Sequence, residues 1–413
     1  MQTAITSNSI KRNWLIILLL LTVLMNHVFL LPKISIVLTY IFVGIYILID
    51  TKYKNFYRLL LPWCSILLTG LIFSMNFEAR DVIRDIFYFI NPLFFLILGS
   101  FIAINFNLDK FFKIIVLTGS ILSIIYVAET IVKFGFSFIE NSYDIRANIG
   151  VGNSISVLAL IILIFSSKFD ELHLVHNMKF RVLLVGVNLL ALILFSSRTY
   201  TGIAIILLVS LSYPLYKKNI FRYILFTFFG VALAIFLINQ FKETVFIEKM
   251  LNSVFEISMT NDIDPNNPYA NYRGYEAKSA IDTYTHADDF QKIVGLGFGK
   301  LIDLKSYYLL GGELRRFIPI LHNGFAYLLV KTGVLGCILF LMFLINIMKL
   351  AHQTYKYSEI ISVTTIGVLL SLCFATYIVS GFFNSEFEIL MIILGGLIQY
   401  MIMNRLDHQR SLA

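Results

Sequence analysis

Three short stretches of this 413-residue chain carry side chains that could do chemistry, and they lie far apart in sequence. The first is FSSRTYTG at 195–202, where Arg198 stands between two apolar runs. A guanidinium is always charged and suits bidentate binding of phosphate. The second is NYRGYEAK at 271–278, where Arg273 opens a helix-like stretch with Glu276 one turn on. The third is LHNGFAYLLVKTGVLG at 321–336, which sets His322 and Asn323 just ahead of an apolar run. A histidine takes and returns a proton near neutral pH. Arg146, in YDIRANIGVGN beside flexible glycines, is a further cation that could face the same cavity.

Each stretch also has a plainer reading, and on local sequence both stay open. Arg198 fits a snorkelling anchor of a tight hairpin. Such a charge costs about 2.5–3.5 kcal/mol at a bilayer centre and much less at its interface. His322 fits an interfacial histidine satisfied by its neighbours. Arg273 fits a solvated charge or a local pair with Glu276. The run GLGFGK at 295–300 matches neither nucleotide fingerprint and reads as a turn. Arg80, Asp81, Arg84 and Asp85 have the spacing of local ion pairs. Cys64, Cys337 and Cys373 lie in apolar segments without metal spacing and read as small buried hydrophobes.

The elements that must position these residues are membrane helices. The chain is 58% hydrophobic and 14% charged, whereas soluble chains are nearer a quarter charged. Apolar runs near the roughly 20 residues needed to span a bilayer recur along it. Spans are expected near 14–31, 34–49, 59–75, 86–104, 111–132, 148–166, 182–197, 200–215, 223–239, 321–348, 360–381 and 387–403. The run 321–348 is long enough for a short interfacial helix followed by a span. The expected fold is therefore an all-α polytopic membrane protein of about 12 transmembrane helices. It divides into 1–239 (nine helices), a large, partly helical periplasmic loop at 240–320, and 321–413 (three helices). Within the loop, 242–257 and 272–286 have helical spacing, joined by a turn-rich connector.

The net charge of +8 does not indicate nucleic acid, because the basic residues are scattered between apolar runs. Their distribution sets the expected orientation. With the N-terminus inside, 17 of the 33 lysines and arginines fall on cytoplasmic segments and 6 on short outer ones. By the positive-inside rule both termini are cytoplasmic and 240–320 lies outside.

The order of the motifs resembles the O-antigen ligase/polymerase superfamily (the Wzy and WaaL proteins). The resemblance rests on Ser197-Arg198 at the start of a span, Arg273 at the head of a loop helix, the Gly295–Gly299 turn, and His322-Asn323 before the next span. RANIGVGNS also looks like the family's segment before the sixth span. The resemblance implies a GT-C-like fold and a multi-pass bacterial inner-membrane enzyme whose active site is periplasmic. It implies undecaprenyl-pyrophosphate-linked oligosaccharides as substrates, membrane lipids as surroundings, and a chain-length regulator and a flippase as partners. His322 would then be the catalytic base. Arg198 and Arg273, with Arg146 and Asn323 as lesser candidates, would bind substrate or pyrophosphate. No cofactor is implied, and the chemistry is expected to be metal-independent.

Polymerase is favoured over ligase because such polymerases are numerous and divergent, which is a prior and not a residue argument. The paired Arg-x10-Gly motifs of some polymerases are absent: eleven positions after Arg146 stands Val157, and eleven after Arg273 stands Tyr284. A lipid-linked sugar transporter is the alternative from a different class. It predicts polar residues deep in several spans and broken helices, and few mid-span charges are visible.

Overall fold

The computed structural model describes residues 54–135, 145, 148–150, 152–169, 174–175, 177–216, 271–310 and 312–412. The spans expected at 14–31, 34–49 and 223–239, the loop helix at 242–257 and Arg146 lie outside the described residues.

Every other expected span coincides with a helix. In chain order these are α1 (Lys54–Leu71), α2 (Ala79–Asn105), α3 (Leu108–Phe134), α4 (Ser154–Phe165), α5 (Met178–Phe195) and α6 (Arg198–Tyr216). From residue 272 on come α7 (Tyr272–Thr285), α8 (Asp289–Val294), and a hairpin of β1 (Ile302–Leu310) and β2 (Glu313–Ile318). The chain ends with α9 (Gly324–Thr354), α10 (Glu359–Val379) and α11 (Glu388–Leu412). Among the described residues, seven helical stretches are long and apolar enough to cross a membrane. The α4 stretch is shorter, and α6 falls outside that set. The protein is thus a multi-pass, helical membrane protein.

Small residues let the helices close on one another. A Cβ at Gly99 would stand 1.8 Å from the Ile392 carbonyl oxygen, and one at Gly395 would stand 2.0 Å from that of Leu96. These contacts bring α2 and α11 backbone to backbone. Buried polar residues add lateral bonds. Asn188 on α5 accepts from Ser123 Oγ and donates to Ser120 Oγ, both on α3, at 2.8 and 2.9 Å. Trp63 on α1 donates Nε1–H to the Phe89 carbonyl of α2 at 2.8 Å, packed among Phe340, Phe343, Phe382 and Phe383.

The loop segment is folded onto the bundle. α7 matches the expected helix at 272–286, with Ala277 and Ala280 buried. The hairpin was not expected. Its strands pair antiparallel from Ile302–Ile318 to Leu310–Glu313 across a Gly-Gly dipeptide. The pairing is irregular between Asp303 and Tyr308, where Lys305 has φ 59°. Asp303 fixes the bulge by accepting from the Lys305 N–H and from two nitrogens of Arg316, each at 2.7–2.8 Å.

Two expectations need correction. Arg84 pairs with Asp81 at 2.6 Å, but Asp85 makes no surface ion pair, because it is fully buried. It accepts from Tyr327 Oη at 2.5 Å, from the Gly299 N–H at 2.6 Å and from Lys331 Nζ. A carboxylate buried with three donors has its desolvation offset by charge-assisted bonds. The cysteines are also not all buried: Cys64 is exposed on the side of α1, and Cys337 and Cys373 are half-buried.

Candidate active site

The site is built where α7 meets the start of α9. Helix α7 carries Glu276, which is 1% exposed. Its Oε1 accepts the His322 backbone N–H at 3.1 Å, and its Oε2 lies 2.7 Å from His322 Nδ1. An ionised carboxylate can only accept, so Nδ1 carries the proton and donates. That hydrogen bond selects the tautomer whose Nε2 has the free lone pair. The imidazole is about half exposed, with its side chain at 45%, and the ring of Tyr272 stands edge-on to it at 6.1 Å. A base with an accessible face and a buried orienting carboxylate is the arrangement a general base needs.

The sequence places His322 where a helix starts, and the structure shows how. Asn323 is the N-cap of α9, with Oδ1 accepting from the Phe325 and Ala326 N–H groups at 3.0 and 3.1 Å. This satisfies two of the helix's orphan donors. Asn323 thereby fixes the chain direction next to His322. Gly324 sits against Thr376 on α10 and Ser380 just past its end, where a Cβ would meet the Thr376 carbonyl oxygen at 3.0 Å.

A second lock holds α9. The Gly295–Gly299 turn inserts between α1, α2 and α9. Leu296 N–H donates to the Val330 carbonyl at 2.8 Å, Gly297 N–H to that of Lys331 at 3.2 Å, and Phe298 N–H to that of Gly70 at 2.7 Å. Gly295, Gly297 and Gly299 all have φ near +90°, a region that L side chains avoid. The helix accommodates the turn by breaking at Gly333, whose φ of 64° and ψ of −168° are not helical. Nine residues of short helix, 324–332, thus precede a longer apolar stretch, as the length of the run suggested. The turn reading of GLGFGK therefore stands, with the added finding that the turn anchors the loop.

The two arginines sit as follows. Arg198 is the first residue of α6, and Ser196 before it is left-handed (φ 46°), which makes the hairpin from α5 tight. Helix α6 runs antiparallel to α10: Gly202 packs on Phe374, and Leu207 and Ser210 lie at Gly367. Arg198 lies one turn beyond Gly202, so it is level with the last turn of α10. Gly324 meets that same turn, so Arg198 and His322 share one end of the bundle. Arg273 is half-buried on α7, between Tyr272, which faces His322, and Glu276, which binds it. His322 and Glu276 are in direct contact, and Arg273 is on the same helix turn.

Sequence reasoning did not single out Glu276 as a partner of His322 or Lys331 as a partner of Asp85. Glu276 is 46 residues from His322, and Lys331 is 246 from Asp85. The one available signal for the second pair was a lysine inside an apolar run, four residues after Tyr327 on one helix face. Outside the membrane-spanning segments, Asp303 is held below the usual carboxylate range, chiefly by its hydrogen bonds from Arg316.

Residues 183–341 match the family model described as O-antigen ligase (Wzy_C). The match runs from α5 into α9 and takes in Arg198, Arg273, Glu276, His322 and Asn323, whereas Arg146 precedes it. No curated protein and no solved structure matches the chain. Over that segment the chain is similar to the O-antigen ligase family.

Proposed function

We propose that the protein is a glycan polymerase that moves an undecaprenyl-pyrophosphate-linked oligosaccharide onto the sugar hydroxyl of another lipid-linked repeat unit, at the periplasmic face of the inner membrane. The observation that carries this reading is the His322–Glu276 pair inside the matched domain. His322 Nε2 accepts the proton of the acceptor hydroxyl as that oxygen bonds to the donor's anomeric carbon. The bond from that carbon to the pyrophosphate oxygen breaks, and undecaprenyl pyrophosphate leaves with the electron pair. Glu276 stabilises the imidazolium formed in this step. Arg198 and Arg273 neutralise the leaving pyrophosphate, where bidentate guanidinium contacts are strong. Asn323 contributes by holding His322 in register.

A second reading has support of its own: the family model is described as a ligase, which would deliver finished glycan to lipid A–core. Donor and proton transfer are the same, and only the acceptor differs. Deleting the gene in its host and resolving surface glycan on a gel separates the two. Core bearing a single repeat indicates a polymerase. Core without glycan, with polymer held on the carrier lipid, indicates a ligase. An unchanged ladder overturns both.

A further inference from the structure

The end of the bundle opposite His322 holds a cavity of about 530 Å³ that the transfer reaction does not use. Three helices meet there, and each supplies one cation: Arg58 from α1, Lys349 from α9 and Arg405 from α11. Asn346 and Gln353 add amide donors, and Leu59 and Leu406 give the cavity apolar walls. Among the described residues, none of the three cations is within ion-pairing distance of a carboxylate; Arg405 donates only to Gln353 Oε1, at 3.1 Å. The three side chains are exposed, so solvent screens their mutual repulsion, but an anion placed among them gains from all three at once.

The cavity also lies at the right depth for a lipid headgroup. From Gly324 to Lys349, α9 covers at most about 38 Å at 1.5 Å per residue along its two pieces on either side of Gly333, enough to cross the hydrocarbon core and reach the headgroup level. Tyrosines ring this end, with Tyr213 against Tyr355 and Tyr357 against His408, as at a membrane–water interface. Helix-dipole compensation does not account for the cations. That effect fades within the last turn, and Lys349 and Arg405 lie five and seven residues before their helices end at Thr354 and Leu412.

We propose that this cavity binds the phosphate of a membrane lipid, with guanidinium and ammonium groups on the phosphate oxygens and the acyl or prenyl chain along the apolar walls. Basic pockets between membrane helices suit this chemistry. The phosphate can come from an anionic phospholipid or from a polyprenyl phosphate, and the test separates the two.

Native mass spectrometry of the full-length chain in detergent, with phosphatidylglycerol, phosphatidylcholine or undecaprenyl phosphate added at equal concentration, reads the binding directly. The expected result is retention of a phosphate-bearing anionic lipid at least about tenfold over phosphatidylcholine, lost in Arg58→Gln/Lys349→Gln/Arg405→Gln. Lys349→Gln alone should lose several-fold, and Lys179→Gln/Arg181→Gln, which removes charge elsewhere, should lose nothing. If only undecaprenyl phosphate depends on the three cations, the carrier is the ligand; if phosphatidylglycerol does, a phospholipid is. Equal retention of both anionic lipids by the wild type and the triple variant would overturn the proposal, as would wild-type binding of phosphatidylcholine as strong as that of the anionic lipids.

Discussion

His322 gains its chemical character from a single buried acid. Without Glu276 the imidazole would choose between tautomers and rotate at the half-exposed surface. With it, Nδ1 is committed and Nε2 is presented. Glu276→Gln should therefore lower turnover about a hundredfold or more, by mis-setting the tautomer and leaving the imidazolium uncompensated. Substrate affinity should change little, so a fall in kcat at nearly constant KM checks the claim; a rise in KM alone would contradict it. The residues of the proposed site stand out in the sequence: Arg198 and His322 at the edges of apolar runs, and Arg273 at the head of a helical stretch in the loop. The pairing was not legible there. Nothing in local spacing connects Glu276 with a histidine 46 residues on, because the link is made by the packing of α7 on α9 and not by helix periodicity.

At the scale of elements, the loop is held by what it inserts into the bundle. Phe298 is fully buried, 4.8 Å from the Phe89 ring and tightly packed over Gly70. Phe298→Ala should cost about 3–5 kcal/mol of stability, seen as a lower melting temperature and faster proteolysis between α8 and β1. An unchanged melt would show that the turn is no anchor. The hairpin makes a pH prediction. Asp303 titrates below the ordinary carboxylate value of 3.8 because Arg316 bonds its charged form. A depressed carboxyl contributes stability that is present above the unfolded value and is lost as pH falls through the folded one. Protection of the hairpin amides should thus decline only in the acid range below that value, and Asp303→Asn should abolish that pH dependence. The helices were legible because a run of 20 apolar residues has few alternatives. The hairpin carried a signal too, with aromatic and β-branched residues flanking Gly-Gly. The helices expected in the loop, at 242–257 and 272–286, left 302–318 without an assigned element. The burial of Asp85 was hidden by the charged cluster it belongs to, with Arg80, Asp81 and Arg84, which has the look of a solvated helix face.

On the scale of the whole molecule, one end of the bundle gathers Arg198, Arg273 and the His322–Glu276 pair, while the other gathers Arg58, Lys349 and Arg405. This polarity matches an enzyme that works at one membrane face. The proposed orientation puts the His322 end outside. Cysteines introduced singly at Tyr307 and Tyr357, both exposed, in a background lacking the native three, test it. Tyr307→Cys should react with an impermeant maleimide in intact spheroplasts, and Tyr357→Cys only after permeabilisation; the reverse pattern would invert the assignment. The most direct test of the central claim is complementation of the deletion host with His322→Ala, at membrane levels matched to wild type. The account predicts that the surface-glycan ladder is not restored. A full-length ladder from the variant would contradict the claim that His322 performs the transfer.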